Sequence, residues 1–318
     1  MLKFLAMDNS LREEINAKLP GLLKQAHATR AVNRMVKTRG KRIDILLNGR
    51  HNEAVLYCCN DRNAPLIIGF HSGGWLFGGC ALNDNMWSAM TENININIIS
   101  VGYRMAPEYK WRDSLSDAYE SAIYLTAHAD EYNLHPSDIS IAGLSAGGNM
   151  AAAICIKALS ENLMSFKSLF LFYPLLDVAT MPKIKGSEHY GGVSAFIMNE
   201  QHIEPEDAHL SLASPYFADD DELKGFPDTY VFAAEHDVLK HEALSFAQHI
   251  NNTGGFAEYH EMKDMSHCYF ELGFRDRLTD FEKEFIGPQG IKAFENGSMK
   301  KAAYENIEYM KRIYEKDI

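Results

Sequence analysis

Apolar residues recur along this chain as short, β-branched runs separated by stretches of helical period. Leu66-Ile67-Ile68-Gly69-Phe70, Ile94 to Val101, Ile139 to Leu144, Ser168 to Pro174, Asp228 to Ala234 and Phe256 to Met262 are apolar over lengths that suit strands. Runs apolar on both faces are the mark of strands buried inside a parallel sheet. Between them, 114–132 places Leu115, Ala118, Tyr119, Ala122, Ile123 and Leu125 on one helical face. Helices are also expected from Met150-Ala151-Ala152-Ala153, over about 240–252 (stopped by Asn251-Asn252-Thr253-Gly254-Gly255) and over about 296–316. Residues 42–48 and 54–59 flank Asn48-Gly49 and read as a hairpin. The span 10–37 reads as two short helices broken at Pro20-Gly21, the second with a solvated basic face (Lys24, Arg30, Arg34, Lys37). Residues 177–212 break the alternation and read as an insertion lying over the strand ends.

A hairpin followed by alternating strand and helix predicts an α/β fold: one mostly parallel sheet, helices on both faces, ligands at the carboxyl ends of the strands. Those ends carry chemistry. Ile139 to Leu144 runs into Gly143-Leu144-Ser145-Ala146-Gly147, the pattern of a strand, a sharp turn and a helix with serine at the apex. The glycines leave room for backbone to close on itself, and the helix N-terminus presents N–H groups to a developing oxyanion. The strand at 66–70 runs into His71-Ser72-Gly73-Gly74-Trp75, where consecutive glycines mark a close backbone approach. The strand at 228–234 ends in Glu235-His236-Asp237, and the last strand leads to Lys263-Asp264-Met265-Ser266-His267.

Serine acyl transfer needs a base near working pH, a carboxylate to orient it and fixed donors for the oxyanion. Ser145, Asp237 and His267 supply the nucleophile, the carboxylate and the base, in the order serine, acid, histidine. Glu235 is the rival acid, but it falls at the strand end whereas Asp237 falls on the turn. His236, His241 and His260 are rival bases, each better read as a surface or packing residue. His71 belongs to the glycine loop and is expected to brace it.

Composition narrows the picture further. The 318 residues carry 31 basic and 43 acidic side chains, a formal net charge of −12, which argues against a nucleic-acid surface. The five cysteines (Cys58, Cys59, Cys80, Cys155, Cys268) form no CxxC pair and read as free thiols in a reducing, cytoplasmic setting. No apolar stretch is long enough to span a membrane, and the first residues are too short for a signal peptide.

Taken together, the motifs resemble the hormone-sensitive-lipase-like branch of the α/β-hydrolases, a group of small serine esterases. The family's His-Gly-Gly-Gly loop is matched by His71-Ser72-Gly73-Gly74, its Tyr-Arg-Leu-Ala-Pro-Glu segment by Tyr103-Arg104-Met105-Ala106-Pro107-Glu108, and its elbow by Gly143 to Gly148. Its acid turn is matched by Asp237-Val238-Leu239 with Glu242, and its His-Gly-Phe by His267-Cys268-Tyr269. The resemblance covers about residues 40–275. It implies an eight-stranded α/β-hydrolase domain over the whole chain, with a small helical cap from about 1–40 and 177–212. It also implies an oxyanion hole from the N–H groups of Gly73, Gly74 and Ala146, and no cofactor or metal. Two departures stand out. Ser72 replaces a glycine, which is uncomfortable if that position needs φ > 0. Leu144 replaces an aspartate and alters pocket polarity if it faces the site.

The expectation is therefore a carboxylesterase that forms an acyl-enzyme on a small ester with a short acyl chain. An amidase or carbamate hydrolase with the same triad, or a non-catalytic receptor on the same fold, are the alternatives. Trp75, Phe77 and Tyr190 are candidates to line the pocket or simply to fill core. An edge strand or the C-terminal helix offers a surface for a homodimer. Residues 275–297 carry no motif that assigns them a role.

Overall fold

The computed structural model describes residues 9–47, 49–180 and 192–316. Its strands are β1 (Lys41–Leu47), β2 (Arg50–Tyr57), β3 (Leu66–Phe70), β4 (Asn97–Val101), β5 (Ile139–Leu144), β6 (Ser168–Phe172), β7 (Asp228–Ala234) and β8 (Ala257–Met262). They form one eight-stranded sheet in the order β1-β2-β4-β3-β5-β6-β7-β8. The hairpin β1–β2 and the pair β2–β4 are antiparallel, and every other pair is parallel. The register brings the functional strand ends level. Phe70 lies opposite Gly143, Leu144 opposite Phe172, Phe172 opposite Phe232, and Ala234 opposite Met262.

The helices are α1 (Asn9–Met35), α2 (Asp84–Asn93), α3 (Trp111–Ala127), α4 (Ala146–Glu161), α5 (Gly192–His202), α6 (Asp220–Leu223), α7 (Lys240–Asn252), α8 (Tyr269–Leu272), α9 (Asp280–Glu295) and α10 (Ser298–Lys316). Ile68, Phe70, Ile141, Leu171 and Val231 face the side covered by α3, α4 and α7. Ile67, Ala142, Leu144, Phe172 and Phe232 face the side covered by α2, α8 and α10. Each of the larger of these fully buried side chains contributes roughly 1.5–3 kcal/mol. Leu144 is fully buried in this second core and therefore does not set pocket polarity.

Three segments differ from the sequence reading. The span 10–37 is one helix of 27 residues with Pro20 inside it, not two. Ile15, Leu22, Ala26 and Asn33 share a buried face that runs straight past Pro20, while Pro20 itself is exposed. Packing on that face outweighs the single hydrogen bond that proline removes. The helix expected to reach 132 ends at Ala127, followed by a separate short turn over Ala129–Tyr132. The strand expected from Ile94 starts at Asn97, because the Ile94 N–H still caps α2 by bonding Met90.

The insertion is anchored at its neck. Glu242 Oε1 on α7 accepts the N–H groups of Leu176 (2.6 Å) and Asp177 (3.2 Å). Ser214 Oγ accepts the Val178 N–H at 2.9 Å, and Asn149 Nδ2 on α4 donates to the Ala213 carbonyl at 2.9 Å. Within the insertion, α5 packs against α1.

Candidate active site

The site begins at the β5–α4 turn. Ser145 has φ 52 and ψ −114, a left-handed conformation that costs a non-glycine residue on the order of 1–3 kcal/mol. The turn is tight: a Cβ on Gly143 would overlap the Gly147 carbonyl, and one on Gly147 would overlap the Phe70 carbonyl. The Ser145 N–H bonds the Phe172 carbonyl at 2.9 Å and its carbonyl accepts Gly148 at 2.9 Å, so the strained residue is held from both sides. Ser145 is only 5% exposed.

His267 joins the serine from the loop after β8. Its Nε2 lies 2.9 Å from Ser145 Oγ and its Nδ1 lies 2.6 Å from Asp237 Oδ2. Asp237 sits on the turn after β7, and its other oxygen accepts the Leu239 N–H at 3.0 Å. The two loops are tied by the His236 N–H bonding the Met265 carbonyl at 2.9 Å. All three side chains are buried. With Nδ1 donating to the aspartate, Nε2 is the ring nitrogen that accepts from the serine hydroxyl. Glu235, the rival acid, is engaged elsewhere: its Oε2 accepts the Asp264 N–H at 2.8 Å. Among the described residues the imidazole hydrogen-bonded to Ser145 is that of His267, not that of His236, His241 or His260.

The β3 loop forms the facing wall. Gly73 and Gly74 have φ 115 and 58, and a Cβ on Gly74 would overlap Met198 of α5. Leu76 and Phe77 donate to the Gly73 carbonyl, while no backbone acceptor among the described residues takes the Gly73, Gly74 or Ala146 N–H. Ser72 has no positive φ, so it fits the loop; the strained non-glycine residue is Trp75, at φ 57. Trp75 is fully buried and stacks on His202 of α5 at 4.2 Å. His71 does brace the loop. It stacks on Tyr103 at 4.3 Å, its Nδ1 donates to the Ser72 carbonyl at 2.7 Å, and Tyr103 Oη donates to the His71 carbonyl at 3.0 Å. Burial pushes the His71 imidazole down to about 4, so it is neutral at pH 7.

The segment Tyr103 to Glu108 supports this wall. Arg104 grips Asp117 with Nε (2.8 Å) and Nη2 (2.9 Å) and reaches Asp113 with Nη1 (2.9 Å). Glu108 accepts Arg30 Nη1 at 2.8 Å and lies 2.7 Å from His27 Nε2.

Sequence reasoning missed several residues around the site. Arg30, expected on a solvated face, instead donates to the carbonyls of Leu76 and Ala106 and to Glu108, whereas Lys24, Arg34 and Lys37 are exposed as expected. Glu242 holds the neck of the insertion. The unassigned 275–297 includes α9, which places Phe285 5.5 Å from the His267 ring and stacks Phe281 on Phe77 at 4.9 Å. The Phe281-x-x-x-Phe285 spacing, one helical turn, was the available signal. Tyr190 lies outside the described residues.

For a metal, the described residues bring together only Glu235, His236 and Asp264, a partly exposed surface group with ligand atoms within 4.8 Å of one another. All five cysteines are free thiols. No helix among the described residues is long and apolar enough to cross a membrane.

Comparison with known proteins fits this geometry. An α/β hydrolase of Acanthamoeba polyphaga mimivirus is 28% identical over 200 residues, covering 61% of this chain and 58% of that protein. The arylesterase of Saccharolobus solfataricus is 27% identical over 202 residues, covering 60% of this chain and 64% of that one. The chain thus matches less than two thirds of the length of either relative. Among solved structures, the esterase of Pyrobaculum calidifontis superposes with a TM-score of 0.68 at 24% identity, covering 96% of both chains, which shows a shared fold. The family model described as alpha/beta hydrolase fold matches residues 67–271, from the middle of β3 to α8. With that stretch covering more than half of its length, the chain belongs to the alpha/beta hydrolase fold family, in the hormone-sensitive-lipase-like branch its motifs resemble.

Proposed function

We propose that this protein is a serine carboxylesterase. The observation that carries the reading is the unbroken hydrogen-bonded chain from Ser145 Oγ through His267 to Asp237, set on a strained, nearly enclosed turn. A packing serine has no need of a buried imidazole and carboxylate in series.

In this reading His267 Nε2 takes the Ser145 proton as Oγ attacks the ester carbonyl. Asp237 holds the imidazole in the tautomer that leaves Nε2 unprotonated and steadies the imidazolium that forms. The N–H groups of Gly73, Gly74 and Ala146 receive the oxyanion, helped by the positive end of α4. His267 then protonates the leaving alkoxide, an acyl group remains on Ser145, and a water activated by the same imidazole releases it. α1 and the described part of the 177–212 segment serve as a cap that excludes water and limits the acyl group to about C2 to C6, since a long tail needs an open apolar groove. Arylesterase as the name of one relative supports ester substrates. A cytoplasmic setting for this reading suits the five free thiols.

The test is covalent labelling by an organophosphonate alongside hydrolysis of p-nitrophenyl esters from acetate to laurate. One adduct per chain is expected, on the peptide carrying Ser145, with fastest turnover on the short esters. Ser145→Ala abolishes labelling and hydrolysis while keeping the fold. Folded wild-type protein that stays unlabelled and binds a small ligand tightly would make it a receptor instead.

A further inference from the structure

A general acid has to reach the group that leaves. If His267 Nε2 protonates the departing oxygen, that oxygen lies about 3 Å from the imidazole, and whatever it carries extends from beside the ring. The core side of the imidazole is taken. Asp237 holds Nδ1 at 2.6 Å, and Tyr173, 1% exposed, meets the ring edge-on at 4.9 Å. A further ring against it is Phe285 of α9, with centroids 5.5 Å apart and planes tilted by 55°. Phe285 is half-buried where Tyr173 is enclosed, so it stands on the side of the imidazole that opens outward. Phe281, one helical turn earlier, lies 5.9 Å from Phe285 and stacks on Phe77 at 4.9 Å. The Phe77 N–H bonds the Gly73 carbonyl at 2.9 Å, so Phe77 belongs to the wall that carries Gly73 and Gly74. Phe77, Phe281, Phe285 and His267 thus run in succession from the oxyanion wall to the base.

We infer that Phe285 is a specificity-determining residue for the alcohol half of the ester, and that the alcohol it selects is flat and apolar, of the benzyl kind. The inference rests on the esterase reading and adds to it the class of leaving group. The reaction is the one already described: the ester C–O bond breaks, the acyl group stays on Ser145, and the Nε2 proton goes to the alcohol oxygen.

The arm that carries these rings is held at both ends. Thr279 and Glu282 close a capping box at its start, and Ile286 at its end is buried in the second core. Gly287 then turns the chain before Pro288, at φ 68 and ψ −177, a conformation open to little but glycine. Lys283 and Glu284 are exposed, so the charge of this arm lies away from the half-buried rings. An aromatic alcohol can set its ring edge-on or offset against Phe285. A polyhydroxylated alcohol there would give up water without gaining a hydrogen bond from either phenylalanine.

The test uses three acetates that share an acyl group and have alcohols of similar acidity: ethyl, cyclohexylmethyl and benzyl. Wild type is expected to show a kcat/KM for benzyl acetate roughly ten-fold above ethyl acetate and about three-fold above cyclohexylmethyl acetate, which has the bulk without the flat face. In Phe285→Leu the benzyl-to-ethyl ratio is expected to fall roughly five-fold, and the benzyl-to-cyclohexylmethyl ratio to about one. Each reading is a ratio on one sample, so a loss of folded protein cancels. Should the leucine variant not fold, Phe285→Met fills the space with a flexible chain and reads the same ratios. Wild-type benzyl and ethyl acetates within about two-fold of each other would overturn the inference. So would ratios that do not move in the variant because all three acetates fall together, the mark of a residue that only steadies His267. A variant that instead shifts the preference between hexanoate and acetate at a fixed alcohol would place Phe285 on the acyl side, and overturn it too. Wild-type protein that a phosphonate does not label would sink the esterase reading along with it; labelled wild type with unmoved alcohol ratios sinks this inference alone.

Discussion

The floor of the site and its roof are held by different kinds of force. The floor is the edge of the sheet, where Ser145, Asp237 and His267 stand at the ends of β5, β7 and β8. Backbone fixes it: strand register, glycines packed against carbonyls and turns closed by main-chain hydrogen bonds. The roof is α1, α5 and α9, which meet the floor through side chains. Arg30 reaches the Leu76 and Ala106 carbonyls, His202 stacks on Trp75, Met198 fills the space over Gly74, and Phe281 stacks on Phe77. A frame of backbone cannot be retuned by small steps, whereas a frame of side chains can. In the proposed esterase, chemistry that must not vary therefore sits on the floor, and selection among substrates falls to the roof.

The largest effect should follow from touching the floor where it carries charge. Asp237→Asn is expected to lower kcat by up to about 10⁴ with little change in KM or in thermal stability, because the imidazole loses the partner that sets its tautomer. Glu235→Gln should leave kcat near wild type. Steady-state kinetics on p-nitrophenyl acetate checks both, and a crippled Glu235→Gln enzyme would move the acid to the rival residue.

The seam between floor and roof should be sensitive to acid. His71 and His202 are both buried and neutral, each pushed down by burial, His71 to about 4 and His202 well below its ordinary value. In the unfolded chain each titrates near 6.5. Between about pH 6.5 and 4 the unfolded state binds more protons, so stability rises with pH there and is lost as pH falls through that window. His71 alone accounts for about 3 kcal/mol of that loss. Urea midpoints measured from pH 7 to 4.5 should fall accordingly, and His202→Phe, which keeps a ring against Trp75, should flatten the slope. An unchanged slope would mean that the imidazoles open to solvent without unfolding.

The smallest effect should come from the roof alone. Arg30→Ala removes donors from Leu76, Ala106 and Glu108 and is expected to raise KM roughly three- to ten-fold with kcat within about two-fold. If kcat fell as steeply as in Asp237→Asn, the division between floor and roof would be wrong.

The floor was legible in the sequence and the roof was not, for the same physical reason. Leu66 to Phe70 and Ile139 to Leu144 are buried on both faces, so their composition announces them. Gly143 and Gly147 are required by close backbone contact, and a requirement of that kind leaves a fixed spacing. The roof depends on long-range contacts that no local pattern records. Pro20 punctuates the sequence as a break, yet the face through Ile15, Leu22 and Ala26 carries one helix past it. Arg30 looks like one more basic residue on a wet surface until Leu76 and Ala106 are brought beneath it. Phe281 and Phe285 repeat at one helical turn, but nothing local says that His267 lies on the other side.

The neck of the insertion has a consequence for engineering. Val178 bonds Ser214 across it, and Glu242 and Asn149 fasten its two ends to α7 and α4. The described part of the stretch between them hangs from this closed ring and otherwise meets the site's loops through side chains such as His202 on Trp75. Such a stretch has the form of a cassette: a laboratory graft spliced at Val178 and Ala213 would inherit the same docking points without asking the sheet to refold.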